Sequence, residues 1–486
     1  MSWSRRRMLA GLSTLPSLAC SRLRAERHPP AVPPGVQVSL PVVHRSDPEG
    51  GPRLYLVEDH ALPLVSLAIA IRAGHRAEPT PQPGISGVTA SMLLEGMEGG
   101  SRTELLARYG DLGASPGTST GPSLLVLGCT VHRDDAEAVL SLMAENLRSP
   151  TMDATAFDRT LREHTLWPTV ARGEPALVAG LGLLSASLGL ESPGASLGIG
   201  PPRRLEQLDP ETVGAFLRGH TTRGEATILM AGDVDEQRAR TLVDRALADW
   251  PATPEPEPTS SSSPPQATGQ GASEGPVRSR TVLVPWPTLP QAFIAMGGPR
   301  APYGHEDEPA QAVASTLLAS TLQYELRTRQ RSTYAVQSRV WQTLHGDVLQ
   351  LWVRVDPEAT RAAVRAVRDQ LRSLTGDRHF SEQVVAEVRT SLEMSSMLGF
   401  HGPEATLGEL VRLASAELPA DTPQRRLAWL RDVDARRVAE VIEHDLADDR
   451  WCWCVAGDPE ALRSAGAALP EDGRLTRTPE ALLGLA

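Results

Sequence analysis

The sequence predicts an α+β fold made of two homologous halves joined by a linker, and three observations carry this. Strand patterns of period two alternate with helical patterns of period 3.6 along most of the chain. A spacing of 225 residues relates Leu205 to Leu430, Val213 to Val438 and Gly232 to Gly457, and in both halves Gly-Asp follows an apolar strand. One spacing at three positions is the mark of an internal repeat. Between the halves, residues 252–278 are rich in Pro, Ser, Glu and Gly and have no period. Such a stretch buries too little apolar area to offset its ordering entropy and reads as a flexible, solvated linker. The halves are therefore residues 38–251 and 279–486.

In the first half, Leu54-Tyr55-Leu56-Val57 and the alternating run from Val65 to Ile71 read as strands. Ile85, Val88 and Met92 then mark a buried helix, followed by Ser101-Arg102-Thr103-Glu104, a capping-box spacing that starts a second helix ending near Tyr109-Gly110. Leu124 to Cys129 reads as a strand, and Ala136, Val139, Leu140, Met143 and Leu147 as one face of a helix. Helical segments follow Pro150, then a glycine-rich loop over 190–200, a helix near Val213 to Leu217 and a strand from Ala226 to Met230 that leads into Gly232-Asp233-Val234. In the second half, Thr281 to Val284 and Ala292 to Met296 repeat the opening strands. Leu349, Leu351, Val353 and Val355 alternate as a strand before a helix start at Asp356-Pro357.

Residues 1–20, MSWSRRRMLAGLSTLPSLAC, combine a basic start, a short apolar run and small residues before a cysteine. This is the layout of a bacterial export signal and implies the periplasm or cell envelope. Ser4 to Leu9 resembles the twin-arginine pattern. Ser17-Leu18-Ala19-Cys20 resembles a lipoprotein processing box, which makes Cys20 a candidate for lipidation and a lipid anchor the one membrane attachment expected. Simple cleavage near Ala19 is the alternative. Residues 21–37, rich in Pro and Arg, read as a disordered tether.

The chain has 486 residues, a net charge of -11 and no lysine. With no arginine run outside the leader, this excludes a nucleic-acid surface. Past the leader only Cys129, Cys452 and Cys454 remain. Cys452 and Cys454 share one strand face about 7 Å apart, too far for an ordinary disulfide, so all three read as buried thiols.

The informative stretch is residues 84–103, GISGVTASMLLEGMEGGSRT. It resembles the motif helix of the insulinase and pitrilysin family of zinc peptidases, in which two His of an H-x-x-E-H helix bind zinc and the Glu polarises the metal-bound water. Aligned on Met92-Leu93 and the glycine after them, Gly87 and Ser91 occupy the His positions and Ala90 the Glu position. None of the three is a ligand or a base. The opening strand pair around Val57 to Val65, Ala73-Gly74 before the helix, and the strand ending in Gly-Asp-Val before Asp249-Trp250-Pro251 also resemble the family. The resemblance implies paired α/β sandwich domains in each half and halves that close as a clamshell around a peptide chamber.

His60, His75, Glu95 and Glu98 are candidates for a displaced metal site, but His60 and His75 read as polar joints of the strand pair, and Glu95 and Glu98 as exposed. Near the family's third ligand lie Glu163 and His164, with Glu163 expected as a surface carboxylate. His305-Glu306-Asp307-Glu308 reads as a solvated helix start. In the second half, residues 325–334 resemble the family's L-R-x-x-x-x-x-x-Y segment. Arg327 and Tyr334 fall on the Arg and Tyr that contact peptide in the family, although Arg331-Ser332-Thr333 replaces the usual Gly-Leu-Ala.

The resemblance implies a non-catalytic subunit of a two-subunit zinc metallopeptidase. The chain would supply Arg327, Tyr334 and part of a chamber wall for a peptide substrate, while a zinc-binding family member completes a heterodimer and holds the zinc. A peptide-binding or scaffold protein without proteolytic role is the alternative, and an active peptidase with relocated ligands a third.

Overall fold

A computed structural model of the chain describes residues 38–79, 82–189, 197–198, 200–252, 280–375, 380–447, 450–469, 471 and 473–485. The export signal with Cys20, the tether and the linker apart from Ala252 lie outside the described residues. The described residues from Leu40 onward form one compact unit.

The first half builds a six-stranded sheet from β1 (His44–Ser46), β2 (Arg53–Glu58), β3 (Leu64–Ile71), β4 (Gly117–Thr120), β5 (Leu125–His132) and β6 (Ala226–Gly232), in the order β1-β2-β6-β3-β5-β4. The second half builds another from β7 (Thr281–Pro285), β8 (Ala292–Arg300), β9 (Val336–Thr343), β10 (Gly346–Val355), β11 (Cys452–Gly457) and β12 (Arg474–Thr476), in the order β12-β7-β11-β8-β10-β9. Five strands correspond one to one. In each half the first of them pairs in parallel with the last, β2 with β6 and β7 with β11, and the other pairs among the five are antiparallel; at the edges β1 joins β2 antiparallel and β12 joins β7 in parallel.

Helices of the first half are α1 (Ile85–Met92), α2 (Arg102–Asp111), α3 (Ala136–Arg148), α4 (Ala154–Ala171), α5 (Pro175–Leu188), α6 (Pro202–Leu205), α7 (Pro210–His220) and α8 (Glu236–Ala246). Those of the second are α9 (Glu308–Gln323), α10 (Thr360–Leu374), α11 (Glu382–Leu398), α12 (Pro403–Ser415), α13 (Thr422–Arg431), α14 (Ala435–Asp445), α15 (Pro459–Gly466) and α16 (Pro479–Leu482). The capping box on α2 is present, with Ser101 and Glu104 bonding each other's backbone N–H.

The repeat holds at this level too. Helices α7 and α14 both start and end 225 residues apart (435 − 210 and 445 − 220), and each is capped by an aspartate, Asp209 on Thr212 N and Asp434 on Arg437 N. Helices α4 and α11 are capped by Asp153 and Ser381, and α5 and α12 begin at Pro175 and Pro403; both differences are 228. The Gly-Asp pairs differ in role. Gly232 has φ +128°, and a Cβ there would lie 2.1 Å from Leu64 O, so only glycine fits. Asp233 then binds His60 and Arg133, whereas Asp458 caps α15.

Each half carries a single sheet with both faces apolar, and the halves pair by exchanging helices. On one face of the first sheet Leu54, Leu56, Leu67, Ile69 and Ile71 pack with helices of their own half. On the other, Tyr55, Val57, Ala68, Ala70 and Leu229 pack with Leu410, Leu413 and Ala414 of α12, from the second half. Reciprocally, α5 from the first half lies on Val282, Val284, Phe293, Ala295 and Cys454 of the second sheet. The α5 sequence, PALVAGLGLLSASL, is apolar all round, as a helix enclosed on every side must be. Small residues let it approach closely: a Cβ on Gly182 would come 2.3 Å from Cys454 Sγ. Cys129, Cys452 and Cys454 are free and buried, and desolvation raises their thiol pKa values.

Glu308 departs from the expected solvated helix start. It is buried at the head of α9 and pairs with Arg300 and Arg426. The sequence shows the acidic run but not the two arginines, which arrive from β8 and α13.

Candidate functional site

Helix α1 begins at Gly84, in the left-handed region at φ +90°. The Glu78 carboxylate accepts from Gly84 N at 2.8 Å, Ser86 N at 3.2 Å and Ser86 Oγ at 2.5 Å. A negative charge there complements the helix N-terminus. His75 Nδ1 lies 3.0 Å from the same hydroxyl. His75 is thus buried in the start of the motif helix rather than left in an open joint.

The face of α1 that carries Gly87 and Ser91 looks at α4. A Cβ on Gly87 would lie 3.4 Å from His164 Cε1, and Ser91 Oγ is 2.9 Å from His164 Nε2. Ala90 is buried in the core cluster of the first half. Of the neighbouring pair on α4, Glu163 is exposed and His164 turns inward. Burial lowers the His164 pKa, partly opposed by Glu163. A neutral imidazole is then available to accept from the Ser91 hydroxyl.

These residues do not fit zinc. His164 is one imidazole, facing a glycine and a serine where a tetrahedral site needs three ligands and an open fourth position. Among the described residues no group of three His, Cys, Asp or Glu could hold a metal. His60, on the surface, is taken up by Asp233 at 2.7 Å; that hydrogen bond raises its pKa and, with Arg133, lowers that of Asp233. Glu98 is exposed, but Glu95, expected to be so, is only 5% exposed and pairs with Arg102 and Arg159. Its position next to the glycine exit suggested solvent; Arg102 of α2 and Arg159 of α4 enclose it instead.

The neutral state of the half-buried His164 has a measurable consequence. Its folded pKa lies below the free value of 6.5, so the unfolded chain binds more protons below that pH. The stability contributed by a neutral His164 is full above about pH 6.5 and is lost as pH falls toward the depressed folded value. The melting temperature of His164→Gln relative to the parent should therefore rise between pH 7 and pH 5. A difference that stays flat over this range would mean that His164 is not held neutral.

In the second half, α9 runs into one wide π-type turn, Tyr324–Arg329, which carries Arg327. Leu326 is buried, and its carbonyl accepts from Ser332 N at 2.9 Å and Ser332 Oγ at 3.2 Å, which turns the chain back toward β9. Tyr334 emerges just before that strand, 79% exposed, with the Arg327 guanidinium 5.2 Å from its ring centroid. The structure thus brings Arg327 and Tyr334 into direct contact and leaves the phenol facing solvent.

A duplicated α/β chain with exchanged helices, whose motif helix carries glycine and serine at the two ligand positions and alanine at the base position, defines a scaffold of the zinc-peptidase type. Residues 53–189 match the family model of insulinase (peptidase family M16), and residues 207–392 match that of the peptidase M16 inactive domain. The chain belongs to the insulinase family, peptidase M16. No curated protein matches it.

Solved structures agree on the fold. A peptidase M16 inactive domain from Pseudomonas fluorescens is 18% identical, with TM-score 0.73 over 86% of this chain and 98% of that one. The first half of the periplasmic protease PqqL from Escherichia coli is 15% identical, with TM-score 0.67 over 92% of this chain and 97% of that one. Against the full PqqL structure, also 15% identical with TM-score 0.67, the chain covers 50% of the length. In fold, this chain resembles the first half of that protease.

Proposed function

We propose that the chain is the non-catalytic subunit of a two-subunit zinc peptidase. It supplies Arg327, Tyr334 and one wall of a peptide chamber to a partner of the same family that carries an intact zinc helix. The observation that carries this reading is the contrast between its two sites. The motif helix has no ligands, and its Ser91 is engaged with His164, whereas Tyr334 stands in solvent with Arg327 on its ring. An Arg fork can hold a peptide carbonyl and a phenol can donate to a developing oxyanion.

Two features support a partner of similar build. The full PqqL chain is twice the length that this chain covers, so a fold of this kind occurs joined to a second half. Leu166, Trp167 and Val170 of α4 and Met394, Met397 and Leu398 of α11 are exposed, and two of the pairs, 166 with 394 and 170 with 398, stand at the 228 spacing of the repeat. Apolar side chains exposed together on a helix face are the usual material of protein interfaces. Export to the periplasm belongs to the same reading and is supported by the leader and by the likeness to a periplasmic protease; among the described residues no helix is long and apolar enough to cross a membrane.

The test is reconstitution. The purified chain should hold no stoichiometric zinc and cleave no peptide, and proteolysis should appear when a zinc-bearing family member is added. About one zinc per chain together with chelator-sensitive cleavage by the chain alone would overturn the proposal. Peptide binding with no gain of cleavage by any such partner would make it a peptide-binding scaffold.

A further inference from the structure

We infer that the pocket beside Tyr334 binds a carboxylate of the bound peptide. This rests on the reading of Tyr334 as a peptide contact and names the chemistry that it would meet.

The pocket has a volume of about 230 Å³ and lies between the loop after α9 and the end of β10, lined by Gln291, Arg331, Tyr334, Trp352, Arg354 and Asp356 among others. Its floor is preorganised. Trp352 and Arg354 stand two residues apart on one face of β10. Trp352 stacks on Phe293, with centroids 6.0 Å apart and 22° between planes, and the Arg354 guanidinium sits 5.9 Å from the same Phe293 ring. Asp356, the one carboxylate of the lining, accepts from Gln291 Nε2 at 3.2 Å.

Arg331 and Arg354 are both exposed, and among the described residues neither has a carboxylate within ion-pair distance. Their neighbour Arg329 does, with Glu325 at 2.9 Å. In a chain of net charge -11, two unpaired guanidinium groups at one pocket make a local positive potential that attracts an anion. Arg331 also has φ +54°, a strained conformation for a residue with a Cβ. The Ser332 bonds to Leu326 O hold that turn, which keeps the Arg331 side chain at the pocket. The planar fork of arginine suits a carboxylate, so the ligand is an acidic side chain of a peptide or its C-terminal carboxylate.

The experiment uses the full chain and four fluorescent peptides of one neutral parent sequence: amidated, amidated with one central Glu, amidated with one central Lys, and with a free C-terminus. Anisotropy gives a Kd for each. Either the Glu peptide or the free acid should bind roughly 10-fold or more tightly than the amidated parent, as expected for one charge-assisted contact, and which of the two does so identifies the source of the carboxylate. Arg354→Gln should abolish that preference and leave the Kd of the amidated parent unchanged. Arg331→Gly should also abolish it without lowering the melting temperature, because glycine tolerates the positive φ. Equal affinities for all four peptides, or tightest binding of the Lys peptide, would overturn the carboxylate assignment and leave Tyr334 as a peptide contact. Binding of none would overturn both.

Discussion

Tyr334→Phe in the reconstituted pair should slow turnover by about 100-fold or more, while the partner keeps its zinc and the pair still takes up peptide. The substitution removes one hydroxyl from a ring that is 79% exposed and touches Arg327 through its face, so no packing is lost. On the proposed function what disappears is a donor to the charge that develops in the transition state, and removal of one such donor costs on the order of 100-fold or more in turnover. Arg327→Ala should act more on the Michaelis constant, because a charged fork on a peptide carbonyl also contributes before the reaction. It also removes the cation that sits on the Tyr334 ring, so a smaller fall in turnover accompanies it. Turnover and Michaelis constant of the pair, measured with each variant, separate the roles. If both variants match the parent, Arg327 and Tyr334 are structural remnants and the scaffold reading takes over.

The second large effect concerns the exchanged helices. Residues 38–252 and 280–486, produced separately, should each fail to melt cooperatively; produced together, they should elute as one particle of the parent's size. Helix α5 buries Val178, Leu181, Leu183 and Leu184 in the cluster it shares with the second sheet. At about 1.5–3 kcal/mol for each fully buried aliphatic side chain, losing that partner forfeits roughly 6–12 kcal/mol. That is comparable to the whole stability of a typical domain, about 5–15 kcal/mol. The first sheet loses as well, since Tyr55, Ala68 and Ala70 would lose their cover from Leu410 and Leu413. Calorimetry on each fragment decides the matter. A cooperative transition in one fragment alone, within a few degrees of the parent, would show that the exchange is dispensable.

By itself the sequence determined the elements and their repetition. Strand runs such as LVSLAIAI, the cap of α2 and the 225 spacing are local signals, set by side-chain period and capping chemistry, and they need no knowledge of neighbours. Residue identity alone also showed that Gly87, Ala90 and Ser91 bring neither an imidazole nor a carboxylate to the motif helix. What only the tertiary structure decided was which surfaces meet. The all-round apolar sequence of α5 states that the helix is buried but not that the sheet of the other half buries it, because burial is non-directional and records no partner. Glu163 and His164 are adjacent on one helix, and only the packing of α4 against α1 turns the imidazole inward and leaves the carboxylate in solvent. Glu95 and Glu308 look exposed beside glycine and acidic neighbours, yet arginines from other elements enclose them. Arg327 and Tyr334 were legible as a spacing of seven residues, but the wide turn after α9 and the Ser332 bonds to Leu326 O bring ring and guanidinium together, and a backbone path of that kind leaves no periodic trace in the sequence.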